Sequence, residues 1–203
     1  KELLAHYQVE LDNFKKNLEM LKSNGGKGKI SDIKTFEPVD VELLNKGVKR
    51  FPLKPGQQVY SDNRSKIKEI SEELEKLYGV QFSDDEQQEN GTRLHFKCDQ
   101  PVKVLVGYFN ANSYSILNPP TLETNAQAND RGQADIKIAN AISIPGLYPV
   151  NVYNYNYEAG EHELVLGKGR VLILGFIDGK EEIPIHDAGI GVDGGASVDW
   201  LFY

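Results

Sequence analysis

The stretch YPVNVYNYNYEAGEHELVLGKGRVLILGF, Tyr148 to Phe176, decides the fold. Its first part alternates: Tyr153, Tyr155 and Tyr157 share one side, and Val150, Val152, Asn154 and Asn156 share the other. A period of two is the signature of a strand with two unlike faces. Glu158-Ala159-Gly160-Glu161 is a turn, and a second strand is expected around Glu163 to Leu166. Gly167-Lys168-Gly169 turns the chain again into Val171 to Phe176, an apolar run of the kind that belongs to a strand buried on both faces. These strands form the centre of an antiparallel sheet from which the rest of the chain is read.

Downstream of Gly91 the same character holds. Thr92 to Cys98 and Val102 to Phe109 alternate around an Asp99-Gln100-Pro101 turn, with Leu94, Phe96 and Cys98 inward on the first and Val102, Val104 and Val106 inward on the second. Ala134 to Ala139, Ala141 to Ile144 and Ile183 to Ile185 are strand-like, and Asp178-Gly179-Lys180 has the composition of a hairpin turn. Short strands at near-regular spacing with Gly, Pro and Asn turns predict a mainly β protein, an antiparallel β-sandwich of jelly-roll or galactose-binding-like type. Upstream, Val39 to Leu44 and Val48 to Leu53 are short strand candidates, and a short helix is expected from Ser71 to Tyr78.

Residues 1 to 24 stand apart. Leu4, Tyr7, Leu11, Phe14, Leu18 and Leu21 recur at spacings of three and four, an amphipathic helix that Ser23-Asn24-Gly25-Gly26 stops. That seam could dock a partner protein; the plainer alternative is a helix packed on its own domain or a connector. The expected organisation is an N-terminal helix over 1–24 and a β-sandwich domain over 25–203. The chain starts at Lys1 rather than Met, which points to an upstream segment removed.

The 203 residues carry 23 basic and 30 acidic side chains, a formal charge of −7. The deficit sits in the second half, where residues 101–203 hold 6 basic and 12 acidic groups. Such a surface argues against nucleic acid and anionic membrane as partners and leaves a neutral sugar open. No apolar run approaches the length of a membrane span. Cys98 is the single cysteine, so no intrachain disulfide forms.

No motif names a reaction. Gly25 to Lys29 lacks the pattern of a phosphate loop, there is no G-x-S-x-G, and the four histidines make no metal-binding motif. No cofactor is expected. The oxygen donors Asn129, Asp130 and Asp135 would suit Ca2+, but without the EF-hand spacing. Acids for glycoside hydrolysis would come from Glu123, Asp130, Asp135, Glu158, Glu161, Glu163, Asp187, Asp193 and Asp199; solvated carboxylates are the plainer alternative.

The ten tyrosines offer a second chemistry. A tyrosine ring combines an apolar face with a polar tip, which suits stacking on a pyranose. Tyr153, Tyr155 and Tyr157, with Tyr114 and the polar Asn129, Asp130 and Arg131 of the long 110–131 loop, form the candidate saccharide-binding set. Loops of that length in a small domain are commonly functional. Against this stands the reading that the odd-numbered tyrosines cover one side of the sheet.

Three segments carry a family resemblance: CDQPVKVLVGYF (98–109), YEAGEHELVLGKGRVLILGF (157–176) and VDWLFY (198–203). They resemble the β-sandwich accessory regions of exported, glycoside-hydrolase-associated proteins of gut-bacterial polysaccharide degradation. The resemblance implies a secreted, periplasmic or cell-surface protein and an accessory, non-catalytic role with an oligo- or polysaccharide partner. A small glycoside hydrolase or lyase, or an assembly module working through the N-terminal helix, are the alternatives. The resemblance brings no catalytic residues with it.

Overall fold

Val150–Tyr157, Gly160–Leu166 and Leu172–Asp178 are strands in a computed structural model of the chain. The structure describes residues 34–111, 113–119 and 136–192. In chain order the strands are β1 (Glu42–Leu43), β2 (Lys49–Pro52), β3 (Glu69–Ile70), β4 (Tyr78–Gln81), β5 (Thr92–Cys98), β6 (Val102–Phe109), β7 (Ile138–Ser143), β8 (Val150–Tyr157), β9 (Gly160–Leu166), β10 (Leu172–Asp178) and β11 (His186–Asp187). A 3-10 turn, Glu72–Leu74, and one α-helix, α1 (Asp84–Asn90), complete the elements among the described residues.

The strands form two sheets. The small one has the order β1-β5-β9; the large one runs β11-β7-β8-β6-β10-β4-β2, with β3 also paired to β7. The protein is mainly β, as the alternation implied, and every strand pair is antiparallel except β11 with β7. Between β5 and β6 the chain leaves the small sheet for the large one, and between β8 and β9 it returns.

The large sheet is covered on both faces. On one, Val104, Val106, Tyr153, Tyr155, Ile173 and Phe176 meet Leu94, Phe96, Leu164 and Leu166 of the small sheet. On the other, Leu105, Val150, Val152, Leu172 and Leu174 meet Phe51, Leu53, Val59, Tyr60, Ile67, Leu74 and Leu77 from the stretch 51–77. This double burial explains why β6 and β10 are written as nearly unbroken apolar runs. A bulge in β10 between Ile173 and Gly175 inserts one residue. It lets Ile173 and Phe176, three apart, enter the same core. Gly175 adopts φ 115°, and a Cβ there would lie 2.6 Å from the Tyr78 carbonyl oxygen.

Several local expectations need correction. The short helix at 71–78 is a single 3-10 turn, because Leu74 and Leu77 both enter the core and Tyr78 already begins β4. The helix that does form, α1, has no apolar stripe; only Asp84 and Gln87 are buried. It is held by its cap, where the Ser83 hydroxyl accepts a hydrogen bond from the Glu86 amide. Over the described residues 136–144 the two strand candidates merge into one strand, β7, whose pairing with β8 shifts around Asn140 at φ 48°. Asp178 closes a turn by accepting from the Lys180 amide, but no hairpin follows. Ile183 to Ile185 is not a strand, and the chain runs on to pair β11 in parallel with β7. The N-terminal helix and its seam Leu4, Tyr7, Leu11, Phe14, Leu18 and Leu21 lie outside the described residues.

Candidate functional site

Tyr153, Tyr155 and Tyr157 are 5, 3 and 5 % exposed and point into the core between the two sheets. Tyr157 stands edge-on to Phe96 at 5.2 Å, Tyr153 edge-on to Tyr108 at 5.0 Å, and the Tyr155 and Tyr108 hydroxyls are hydrogen-bonded at 2.7 Å. No face of these rings is open to a sugar, which removes all three from the saccharide-binding set. The alternation correctly separated two faces of β8, but both are covered along the strand except at Asn156, which is exposed. Asn151 and Asn154, on successive strand faces of β8, are buried as well, so polarity did not mark the outside.

Burial pushes the Tyr108 and Tyr155 hydroxyls above the ordinary tyrosine pKa, at Tyr108 with the Tyr155 hydroxyl adding to it. A raised folded-state pKa contributes stability below the unfolded value, about 10, and that contribution is lost as pH rises through the folded value. Alkaline titration followed at 295 nm is therefore expected to show these tyrosines ionising together with unfolding. Smooth ionisation near pH 10 with the fold intact would contradict their burial.

Tyr114 is placed differently. It is fully exposed, in the segment Ser113–Pro119 that follows the end of β6. That segment is stitched to the start of β10: the Arg170 amide donates to the Ser115 carbonyl at 2.8 Å, and the Leu117 amide to the Arg170 carbonyl at 3.2 Å. Ile116 is buried in one core and Leu117 packs against the other, which leaves Tyr114 outward. The approach requires Gly169, at φ 128°; a Cβ there would lie 2.4 Å from the Leu117 nitrogen.

The Arg170 side chain is anchored in turn. Its guanidinium donates to both Asp84 carboxylate oxygens, Nε to Oδ1 at 2.7 Å and Nη2 to Oδ2 at 2.6 Å, and it lies over the Tyr60 ring. Hydrogen bonding to Asp84 holds the Arg170 pKa above its ordinary value. Asp84 accepts further bonds from the Asn63 and Gln88 side-chain amides. Asp62 accepts from the Asp84 and Asp85 amides and the Ser83 hydroxyl at the start of α1. Partial burial raises the Asp62 pKa, but these hydrogen bonds outweigh it and leave the carboxyl below the usual range.

The outcome is an open cleft lined by Ser113, Tyr114, Ile116, Leu117, Asn118 and Lys168. A smaller recess of about 280 Å3 adjoins it, with Asn110, Asn118, Asn151 and the edges of Tyr108 and Tyr153 among its lining. An exposed aromatic ring, a lysine and side-chain amides are chemically suited to hold a polar solute by stacking and hydrogen bonds. Of the residues expected to act with Tyr114, Asn129, Asp130 and Arg131 lie outside the described residues. Lys168 was read from sequence only as part of a turn; its place beside Tyr114 follows from the pairing of Ile116 with Arg170, which no sequence pattern announced.

Of the acids considered for hydrolysis that the structure describes, Glu161, Glu163 and Asp187 are otherwise engaged, and Glu158 is exposed just after β8. On the small sheet Glu161 contacts His95 at 2.8 Å and Glu163 contacts Arg93 at 3.2 Å, as cross-strand pairs. The sequence neighbours His186 and Asp187 part: His186 Nε2 lies 2.5 Å from the buried Glu73 carboxylate, while Asp187 accepts from the Asn140 side-chain amide. Among the described residues no group of three or more His, Cys, Asp or Glu is gathered that could hold a metal ion. No helix among them is long and apolar enough to cross a membrane.

No family profile matches the chain, and no curated protein matches it. Among solved structures, the chain is similar to a GH138 enzyme targeting pectin rhamnogalacturonan II, at 33 % identity and a TM-score of 0.77 over 99 % of its length. A β-glucuronidase from glycoside hydrolase family 2 matches over 69 % of the chain at 11 % identity and a TM-score of 0.46. The chain spans 22 % of the length of the pectin-targeting enzyme, so it is similar, almost end to end, to one part of a much larger glycoside hydrolase.

Proposed function

We propose that this chain is a non-catalytic, saccharide-binding or accessory β-sandwich module of an exported polysaccharide-handling protein. The observation that supports this reading most is the 33 % identity, over 99 % of the chain, to 22 % of an enzyme that targets pectin rhamnogalacturonan II. The binding surface is the cleft at Tyr114, with Asn129, Asp130 and Arg131 of the same loop as further contacts. Secretion, or a place in the periplasm or at the cell surface, goes with a polysaccharide partner, which is met outside the cytoplasm.

Affinity electrophoresis in gels containing pectins, rhamnogalacturonan II among them, tests this directly when reducing-sugar release is followed in the same samples. The expected result is retardation by pectin without sugar release, reduced in Tyr114→Ala. Release of sugars would overturn the non-catalytic reading and make the carboxylates the next targets. No retardation by any saccharide would overturn the binding role.

A further inference from the structure

We infer that a second recess, between the turn joining β1 to β2 and the helix α1, takes a single neutral sugar ring. The inference rests on the saccharide-binding reading above and adds a separate contact to it. The recess shares no lining residue with the cleft at Tyr114.

The recess has a volume of about 310 Å3. That is the small end of ligand pockets and suits one ring rather than a run of them. Its two walls are fixed before any ligand arrives. On one side the Asn45 side chain donates to the Arg93 carbonyl at 2.8 Å and accepts from the His95 amide at 2.7 Å, which pins the β1–β2 turn to β5. On the other, the Gln87 carbonyl of α1 accepts from the Gly91 and Gly169 amides, both at 3.0 Å.

The Gln87 side chain points to a ligand. Gln87 is 2 % exposed and lines the recess. The Val171 amide donates to its side-chain oxygen, which fixes which way round the carboxamide sits. The side-chain nitrogen then has no hydrogen-bond partner among the described residues. A buried donor without an acceptor is costly, and a ligand oxygen removes that cost. Lys46, Glu86 and Asn90 line the same recess; they are exposed, and their side chains make no hydrogen bond or ion pair among the described residues. Lys46 and Glu86 cancel in charge, and Arg93 is paired with Glu163, so the free groups favour neither an anion nor a cation. Val48 and Phe82 are half-buried, pack against the core and give the recess apolar surface. A hydroxyl both donates and accepts. A neutral pyranose therefore matches the amide and ammonium donors, the carboxylate acceptor and the apolar wall together. Walls already in place lower the ordering cost of binding.

The test is a proton–nitrogen NMR titration with methyl glycosides of galactose, glucose and rhamnose, and with methyl galacturonoside as the charged counterpart. The Gln87 side-chain amide has its own pair of signals, so it reports on the recess directly. Wild type is compared with Lys46→Ala and Asn90→Ala. Both positions are exposed, so the fold is expected to persist, and far-UV circular dichroism checks it. At least one neutral glycoside should shift the Gln87 side-chain signals to saturation, and the galacturonoside should bind no more tightly than the galactoside. Each variant should weaken the binding about fivefold. No saturable shift at Gln87 with any glycoside, or a shift that both variants leave at full strength, would overturn the inference. Pectin retardation that Tyr114→Ala reduces would then leave the saccharide-binding reading standing. Tighter binding of the galacturonoside would overturn the choice of a neutral ring. Loss of both the Gln87 shift and the pectin retardation would overturn the inference and the reading on which it rests.

Discussion

Asp84→Ala is expected to lower the free energy of unfolding by about 3–5 kcal/mol, the range for removing one partner of a buried, hydrogen-bonded ion pair. Asp84 is almost wholly buried and receives both arms of the Arg170 guanidinium as well as two side-chain amides. Its loss strands a half-buried cation beside the Tyr60 ring. Urea denaturation gives the value, and the shift should be in the midpoint rather than the slope. A double variant, Asp84→Ala with Arg170→Met, should recover much of the loss, since apolar replacement of both partners is often neutral. A single-variant cost below about 1 kcal/mol would mean the pair behaves as an exposed salt bridge. The effect should be local as well: hydrogen exchange at the Leu117 amide, which bonds to the Arg170 carbonyl, should quicken before exchange in β6.

Phe96→Ala is expected to cost a similar amount, about 3–5 kcal/mol, from lost transfer energy and the cavity left behind. Phe96 is wholly buried on β5 of the small sheet. Its ring meets Tyr157 of β8 at 5.2 Å and Phe176 of β10 at 5.0 Å, both on the large sheet. It is therefore a joint between the sheets rather than a filler within one. Phe96→Leu should cost clearly less, because most of the volume and all of the apolar character remain. If Phe96→Ala proved nearly neutral, the facing of the two sheets through this ring would be wrong.

The strands were legible because their physics is local. Thr92 to Cys98 and Val102 to Phe109 came out of the sequence with the bounds that the structure gives them, since alternation and a Pro-containing turn lie within a few residues of each other. The apolar run at Val171 correctly announced a strand buried on both sides. What covers each side was not legible, because the covering residues, such as Leu53 and Leu74 on one face and Leu94 on the other, are distant in the chain. The same limit explains the tyrosines of β8. Period two says that Tyr153, Tyr155 and Tyr157 share a face; it does not say whether water or a second sheet lies against it. Helix α1 escaped because its signal is a cap and not a stripe, although Ser83-Asp84-Asp85-Glu86 does carry the spacing of a capping box. At the cleft, Tyr114 was named from its loop, while Lys168 needed the bridge between Ile116 and Arg170, two segments that only folding brings together.

The position of β10 between β6 and β4 also sets the order in which the protein can be made. β4 is finished at Gln81 and β6 at Phe109, yet the strand that joins them ends at Asp178. During synthesis the apolar residues of both strands leave the ribosome long before their shared neighbour exists. Pairings this distant in sequence are slow to close, and exposed strands aggregate while they wait. A chain truncated before Leu172 lacks the strand that both cores share. It is expected to accumulate as an aggregate or a chaperone-bound species, and adding back a peptide spanning β10 is the complement that would restore the missing centre of the sheet.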